Sequence, residues 1–370
     1  RDLVDQATLT RVAEAAGRAA ASTRGLRDWL KASQADAMGE FALGRRRYER
    51  MLATGEMIDM PLDRVLAIGE ANLERDSEAF RELASRTFPG VHPSEVMAIL
   101  GRDHPPTESL VSAAASTLAE IRQFVEERAL VSIPIDGDVR VEPTPRYLRW
   151  AFAMMSTPGP FERAPLPAFY YVTPVEPEWT AAQKEEWLSK FDYYTLRAVT
   201  IHEVYPGHQV QLLWLKQAPS DVLKTFASYA YVEGWAHYCE QMMLDEGYGE
   251  GDPRLRLAQL AEALLRDCRY VASIRMHAYG MGVDEATRLF VERAHMAELP
   301  ARKEALRGTF DPGYLYYTLG KLAILRLRDD CRTAWGSGFS LRRFHDRLLG
   351  LGAPPLPLAR DALLGPGPTL

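Results

Sequence analysis

The chain has 370 residues, 47% of them hydrophobic and 25% charged, enough apolar material to bury a large core in one domain or two closely packed lobes. A net charge of -6 and a pI near 5.9 give no electrostatic reason to expect nucleic acid or an anionic membrane as partner. No apolar run is long enough to span a bilayer, and Arg1-Asp2-Leu3-Val4-Asp5 carries no signal-peptide core.

Cys239, Cys268 and Cys331 are widely spaced and lack a CxxC pair, so they suggest neither a disulfide framework nor a thiolate metal site and read as buried apolar residues. The cytoplasm is the expected compartment for the chain as given. Because the sequence does not begin with Met, a removed signal or lipoprotein segment stays compatible with it.

In chain order, residues 2 to 35 predict a helix, with Leu3, Val12, Ala16, Ala19, Leu26, Trp29 and Leu30 recurring at helical intervals. Phe41 to Leu52 predicts a second, whose Arg45, Arg46, Arg47 and Arg50 read as a solvated face or as intramolecular ion pairs. Leu62 to Ser85 predicts a third, its Leu66, Leu73 and Phe80 forming a core stripe. A short helix from Pro93 and a longer one from Thr107 to Arg128 follow, and His92 and His104 between them read as turn or surface residues. From Ala129 the texture becomes β. Val131 to Ile135 and Val139 to Glu142 flank Asp136-Gly137-Asp138 like a hairpin, and Ala151 to Met155 and Ala168 to Val172 read as two more strands. This element is either an edge that aligns an extended peptide or a structural cap. Beyond Thr180 the pattern is helical.

Within that helical part lies His202-Glu203-Val204-Tyr205-Pro206-Gly207-His208-Gln209. Two imidazoles and an adjacent carboxylate are the raw material of a zinc hydrolase: neutral imidazole binds the metal, and an unligated Glu takes a proton from water. In HExxH the two His are four apart and face one ion. Here they are six apart, about 240° around an ideal helix, so the helix must break. Pro206 and Gly207 supply the means. Regular helical hydrogen bonding is therefore expected to fail between Glu203 and His208, with both rings turned toward a third ligand. Glu233 fits that part, 25 residues beyond His208 and after a loop at Gln217-Ala218-Pro219-Ser220 that permits an antiparallel return. His237, on the same helical face, would be a ligand or a partner that orients one. Gly234 would let the helices approach closely.

The blocks HEVYPGHQVQ and EGWAHYCE, with Asp311-Pro312-Gly313-Tyr314-Leu315-Tyr316-Tyr317-Thr318-Leu319-Gly320 and Arg326 nearby, resemble the bacterial domain-of-unknown-function family numbered 885. The likeness is most specific from about residue 165 to 330. Members of that family look like helical zinc peptidases of the gluzincin type. The resemblance implies His202, His208 and Glu233 as zinc ligands and Glu203 as general base. The segment from Asp311 to Tyr317 is also similar to the Gly-Tyr-rich segment of thimet-type oligopeptidases, where tyrosines face the scissile carbonyl. That likeness implies Tyr317 as oxyanion donor, His277 as a second polar group, and Tyr314 on the same face as Tyr317; without it these tyrosines read as core or groove aromatics. Arg275 and Arg326 are candidates to clasp a peptide carboxylate or to pair with an acid. His295 and His345 read as surface or structural.

The expected fold is mainly α: long packed helices around a cleft, a small β element near residues 130 to 173, and a zincin-like arrangement. The lobes are placed at 1–128 and 129–370. The expected activity is zinc-dependent hydrolysis of short peptides, with no nucleic-acid partner, no transmembrane segment and an oligomeric state left open. The alternatives are a non-catalytic helical peptide-binding protein and, last, a di-metal oxidoreductase, for which no paired Glu-x-x-His ligands are present.

Overall fold

The computed structural model describes residues 5–37, 39–134, 138–149 and 151–370. They are mainly helical with one small sheet, the class that the periodicities predict. The chain divides into two compact units, residues 1–41 and 42–370. The second unit runs through residue 128, where the sequence reading places a lobe boundary.

The first unit holds α1 (Gln6–Ser33), whose N-terminus is capped by Asp5 accepting from the Thr8 N–H at 2.7 Å. None of its residues is buried, and Val12, Leu26, Trp29 and Leu30 are exposed.

The second unit begins with α2 (Arg45–Gly55) and α3 (Leu62–Thr87). α2 starts at Arg45 rather than Phe41 because Gly44, at φ 78°, turns the chain where a helix cannot continue. Arg45 pairs with Glu49 at 3.0 Å and Asp63 at 2.8 Å, while Arg46, Arg47 and Arg50 are exposed, so the cluster divides between the ion-pair and the solvated-face readings. On α3, Leu73 and Phe80 are buried and Leu66 packs beside them. α4 (Pro93–Leu100) is capped by His92, and α5 (Leu110–Glu127) follows.

The sheet has β1 (Val139–Pro143), β2 (Ala153–Ser156) and β3 (Ala168–Val172) in the order β1-β3-β2. The expected hairpin is corrected here. Its turn residues Asp136 and Gly137 lie outside the described residues, and Val131 to Pro134 form no strand. β1 instead pairs in parallel with β3, and β2 pairs antiparallel with it, Met155 opposite Tyr170. β3 takes the centre because Ala168, Tyr170 and Val172 alternate into the core. β2 is left as an edge, and the Tyr170 hydroxyl reaches Thr200 at 3.1 Å.

The remaining helices are α6 (Ala181–Leu188), α7 (Tyr193–Glu203), α8 (His208–Lys216), α9 (Asp221–Thr225), α10 (Tyr229–Asp245), α11 (Pro253–Ala278), α12 (Val283–Arg293), α13 (Glu298–Phe310), α14 (Tyr316–Trp335), α15 (Leu341–Leu349) and α16 (Leu356–Leu364). α11 packs on α3, α7 and α13, while α10 packs on α14 and α7. Cys239, Cys268 and Cys331 are free thiols in this core. No helix among the described residues is long and apolar enough to cross a membrane.

The α10–α14 crossing is unusually close, and two glycines explain it. A Cβ on Gly234 would lie 2.5 Å from the Gly320 backbone, and one on Gly320 would lie 1.8 Å from the Ala230 carbonyl oxygen. Any side chain at either position would push the helices apart, and with them Glu233 and Tyr317, which each neighbour one of these glycines by one and three residues.

Candidate metal centre

α7 ends at Glu203 and α8 begins at His208, so the six-residue spacing is served by a break. Between the helices the Tyr205-Pro206 bond is cis, and the Gly207 N–H reaches back to the Ile201 carbonyl at 3.1 Å. A Cβ on Gly207 would lie 1.9 Å from the His202 carbonyl oxygen and 2.4 Å from that of Ile201. Only glycine fits where the chain folds onto the end of α7.

The break turns both rings inward. His202 Nε2 and His208 Nε2 each lie 3.5 Å from the same atom, Glu233 Oε2, and the two imidazoles stand at 90° with centroids 4.7 Å apart. Among the described residues, these three form the group of metal-competent side chains whose ligand atoms all fall within 4.8 Å of one another. Glu233 Oε2 is buried and makes no hydrogen bond. Two imidazole nitrogens and a carboxylate oxygen brought to one point from separate helices are a donor set that suits zinc.

Each imidazole is aimed by a partner on its other nitrogen. His202 Nδ1 donates to Glu240 Oε1 at 2.7 Å, and His208 Nδ1 faces Gln211 Oε1 at 3.5 Å, which leaves both Nε2 atoms toward Glu233. Glu240 is the residue that the sequence reading missed. It lies seven beyond Glu233, two turns on along the same face, so the signal was present in EGWAHYCE. Burial works against charge on Glu240, but Arg266 at 3.3 Å and the two histidines hold its carboxyl well below the usual range. Burial likewise opposes charge on His202, yet Glu233 and Glu240 outweigh it and raise that imidazole to about 9. Glu233 is held well below its ordinary value against the same burial by His202 and His208. His237 is not in the converging group: it is fully buried behind it, Nδ1 toward Glu240 Oε2 at 3.2 Å.

Glu203, the last residue of α7, accepts the Met155 N–H of the edge strand β2 at 2.9 Å. Tyr317 stands beside the centre, its ring 6.3 Å from that of His202 and under the guanidinium groups of Arg266 at 5.7 Å and Arg269 at 5.4 Å. Burial and Glu233 push its phenol up, so it stays a proton donor.

Four other expected site residues lie elsewhere. His277 is buried with Nε2 on the Gly308 carbonyl at 2.8 Å and Nδ1 accepting from the Leu43 N–H at 3.4 Å, so both nitrogens serve the backbone. Tyr314 shares a sequence block with Tyr317 but is fully buried, because Pro312 to Leu315 form a 3-10 turn that ends the simple three-residue face relation. Its hydroxyl points at Gly308. Arg275 pairs with Glu70 at 2.5 Å. Arg326 is exposed, nine residues from Tyr317 and so about 180° around α14. His345 is structural, buried between Tyr238 and the Leu130 carbonyl.

The family described as "Bacterial protein of unknown function (DUF885)" matches residues 2–363. A comparison with curated proteins finds no match. Among solved structures, the chain is similar to a protein from Shewanella oneidensis, provisionally described as a lipoprotein of unknown function, with a TM-score of 0.81 and 24% identity over 98% of this chain and 68% of that one. A second protein, from Colwellia psychrerythraea and provisionally described as a lipoprotein, gives a TM-score of 0.79 and 22% identity over 92% of this chain and 59% of that one. At these identities the likeness concerns the fold.

Proposed function

The chain belongs to the bacterial DUF885 family, whose description assigns no activity, and from the chemistry of its site we propose that it is a zinc-dependent metallopeptidase acting on short peptides. One observation carries this reading: two imidazole nitrogens from separate helices converge at 3.5 Å on a buried Glu233 oxygen that has no hydrogen bond. Two imidazole nitrogens and one carboxylate oxygen match the donor set of a catalytic zinc site, which keeps a further position open for water or substrate.

Zinc, when bound by His202, His208 and Glu233, would polarise a water and the substrate carbonyl. Glu203 takes the proton from the attacking water as its oxygen adds to the amide carbon, and returns it to the nitrogen as the C–N bond breaks. The Met155 N–H on Glu203 Oε2 at 2.9 Å fixes the base while leaving Oε1 for that proton. Tyr317 donates its hydroxyl to the carbonyl oxygen as negative charge develops there. Glu240 keeps the His202 lone pair on Nε2 facing inward. The edge of β2 beside Glu203 suits an extended peptide, which supports short peptides over other amides.

Metal analysis of protein purified without chelator, coupled to mass spectrometry of a mixed peptide library, tests the reading. About one zinc per chain and discrete cleavage products are expected. Protein without zinc that still binds peptides would replace the reading with a non-catalytic binding protein.

A further inference from the structure

With His277 engaged by backbone, Tyr317 lacks the second donor expected beside it. The first residue of α10 supplies a phenol. Tyr229 precedes Glu233 by four, so the two side chains share one face of the helix. Its ring lies 6.0 Å from that of Tyr317 at 67°, and Tyr317 in turn lies 6.3 Å from the His202 ring. Tyr314 and Tyr316 are buried, whereas Tyr229 and Tyr317 are both only partly buried. These two are therefore the tyrosines of the cluster that a ligand can reach.

The position of Tyr229 is fixed from behind. Glu56, a buried carboxylate just past α2, accepts the Tyr229 N–H at 3.0 Å and the Ala230 N–H at 3.3 Å, and it also bonds the Ser228 hydroxyl. A carboxylate at a helix N-terminus is favourable in itself, and here it ties down the turn from which Tyr229 projects. Gly313 lies under the Tyr229 ring; a Cβ there would come within 3.2 Å of it.

We propose that Tyr229 is a second oxyanion donor, forming with Tyr317 a two-phenol clamp across the carbonyl oxygen of the scissile amide. This rests on the metallopeptidase reading. As water oxygen adds to the carbonyl carbon and Glu203 takes its proton, the carbonyl π pair moves onto oxygen. Both phenols donate hydrogen bonds to that oxygen without losing their protons. When the C–N bond breaks, the pair returns to the carbonyl and the amine takes the proton from Glu203. Tyr229 thereby stabilises charge that exists only on the way to product.

The test uses zinc-loaded wild type, Tyr229→Phe, Tyr317→Phe and the double variant. Zinc content is measured first. Calorimetry then compares a phosphinic analogue of an Ala-Ala dipeptide, whose tetrahedral oxygens stand for the oxyanion, with the plain amide bound in a Glu203→Gln background. In Tyr229→Phe we expect zinc content and amide affinity unchanged, phosphinate affinity down about tenfold or more, and kcat lowered with KM nearly constant. Unchanged phosphinate affinity would overturn the clamp, as would equal loss for both ligands, which would make Tyr229 a groove wall. If wild type binds zinc and phosphinate but cleaves nothing, the peptidase reading falls while the phosphinate comparison still decides whether Tyr229 grips a tetrahedral oxyanion. Wild type that takes up no zinc overturns both.

Discussion

Glu233 and His237 stand about one turn apart on α10, yet they belong to two polar clusters of opposite kind. In front, Glu233 meets His202 and His208, and each imidazole is aimed by an acceptor on its far nitrogen. Behind, His237 sits near Lys321 of α14, which lies 3.5 Å from Asp76 of α3, while Asp267 of α11 accepts from Thr318 at 2.7 Å. Both clusters contain buried polar atoms without a hydrogen bond: Glu233 Oε2 in front, and His237 Nε2, Lys321 Nζ and Asp267 Oδ2 behind. The unsatisfied atom alone therefore does not mark a site. The rear cluster brings its own cation, so its charges answer one another, and burial with Asp76 nearby lifts Asp267 to about 7 despite Lys321. It offers no converging set of lone pairs. The front cluster does, and His208 and Glu233 are only partly buried. Converging donors and access distinguish a place where chemistry can occur from one that holds helices together.

The largest separation between the clusters should appear on removing the base in front. Glu203→Gln is expected to lower kcat about 10²- to 10⁴-fold with zinc content and thermal stability unchanged, read by metal analysis, kinetics and calorimetric melting on one preparation. Full activity with normal zinc would remove Glu203 from the mechanism. In the rear the effects should invert. Lys321→Met removes the buried cation beside Asp267 and leaves Asp76 with Arg75 alone, and should cost about 3–5 kcal/mol of stability, as breaking a buried pair does. The fraction that stays folded should still bind zinc. Loss of zinc without loss of stability would mean that the clusters are not separable.

Glu240 joins the two regions, and its replacement should have a smaller and more selective effect. It holds His202 through one oxygen and His237 through the other. Glu240→Gln keeps the shape but weakens the acceptor, so zinc affinity is expected to fall about 10- to 100-fold. Competition with a chelator of known affinity measures this. An unchanged affinity would show that His202 is aimed by packing alone.

How much of this was legible in the sequence follows from the range of each interaction. The helix break between Glu203 and His208 was readable because its causes, the spacing and Pro206-Gly207, are local. Glu233 was readable because the connection from α8, residues 217–228 with α9 inside it, still limits where α10 can return. The sheet pairing was not, since β1 takes its parallel partner 29 residues away, and nothing local distinguishes that from a hairpin. The same limit explains His277 and Tyr314. Their residue types suit an oxyanion site, but His277 Nε2 is spent on the Gly308 carbonyl of another helix, and the Tyr314 hydroxyl is buried against that same glycine. Glu240 and Tyr229 were within reach, at seven and four residues from Glu233 on its own helical face.

The smallest expected effect lies on the far side of α10, where Tyr238 and His345 make a neutral pair that serves packing. The Leu130 carbonyl at 2.7 Å can only accept, so His345 Nδ1 carries the proton, and Nε2 accepts from the Tyr238 hydroxyl at 2.8 Å. Tyr238→Phe leaves that nitrogen unpaired and should cost about 1 kcal/mol, with zinc content and kcat unchanged. Acid acts on the same pocket. Burial depresses the folded imidazole to about 4, below its ordinary value of about 6.5. The unfolded chain therefore binds the proton first, and the stability that neutral His345 contributes is complete above about pH 6.5 and lost as pH falls toward 4. A His345→Gln variant should melt at a lower temperature at pH 8, with a difference from wild type that narrows toward pH 4. A difference independent of pH would mean that His345 matters for its shape alone.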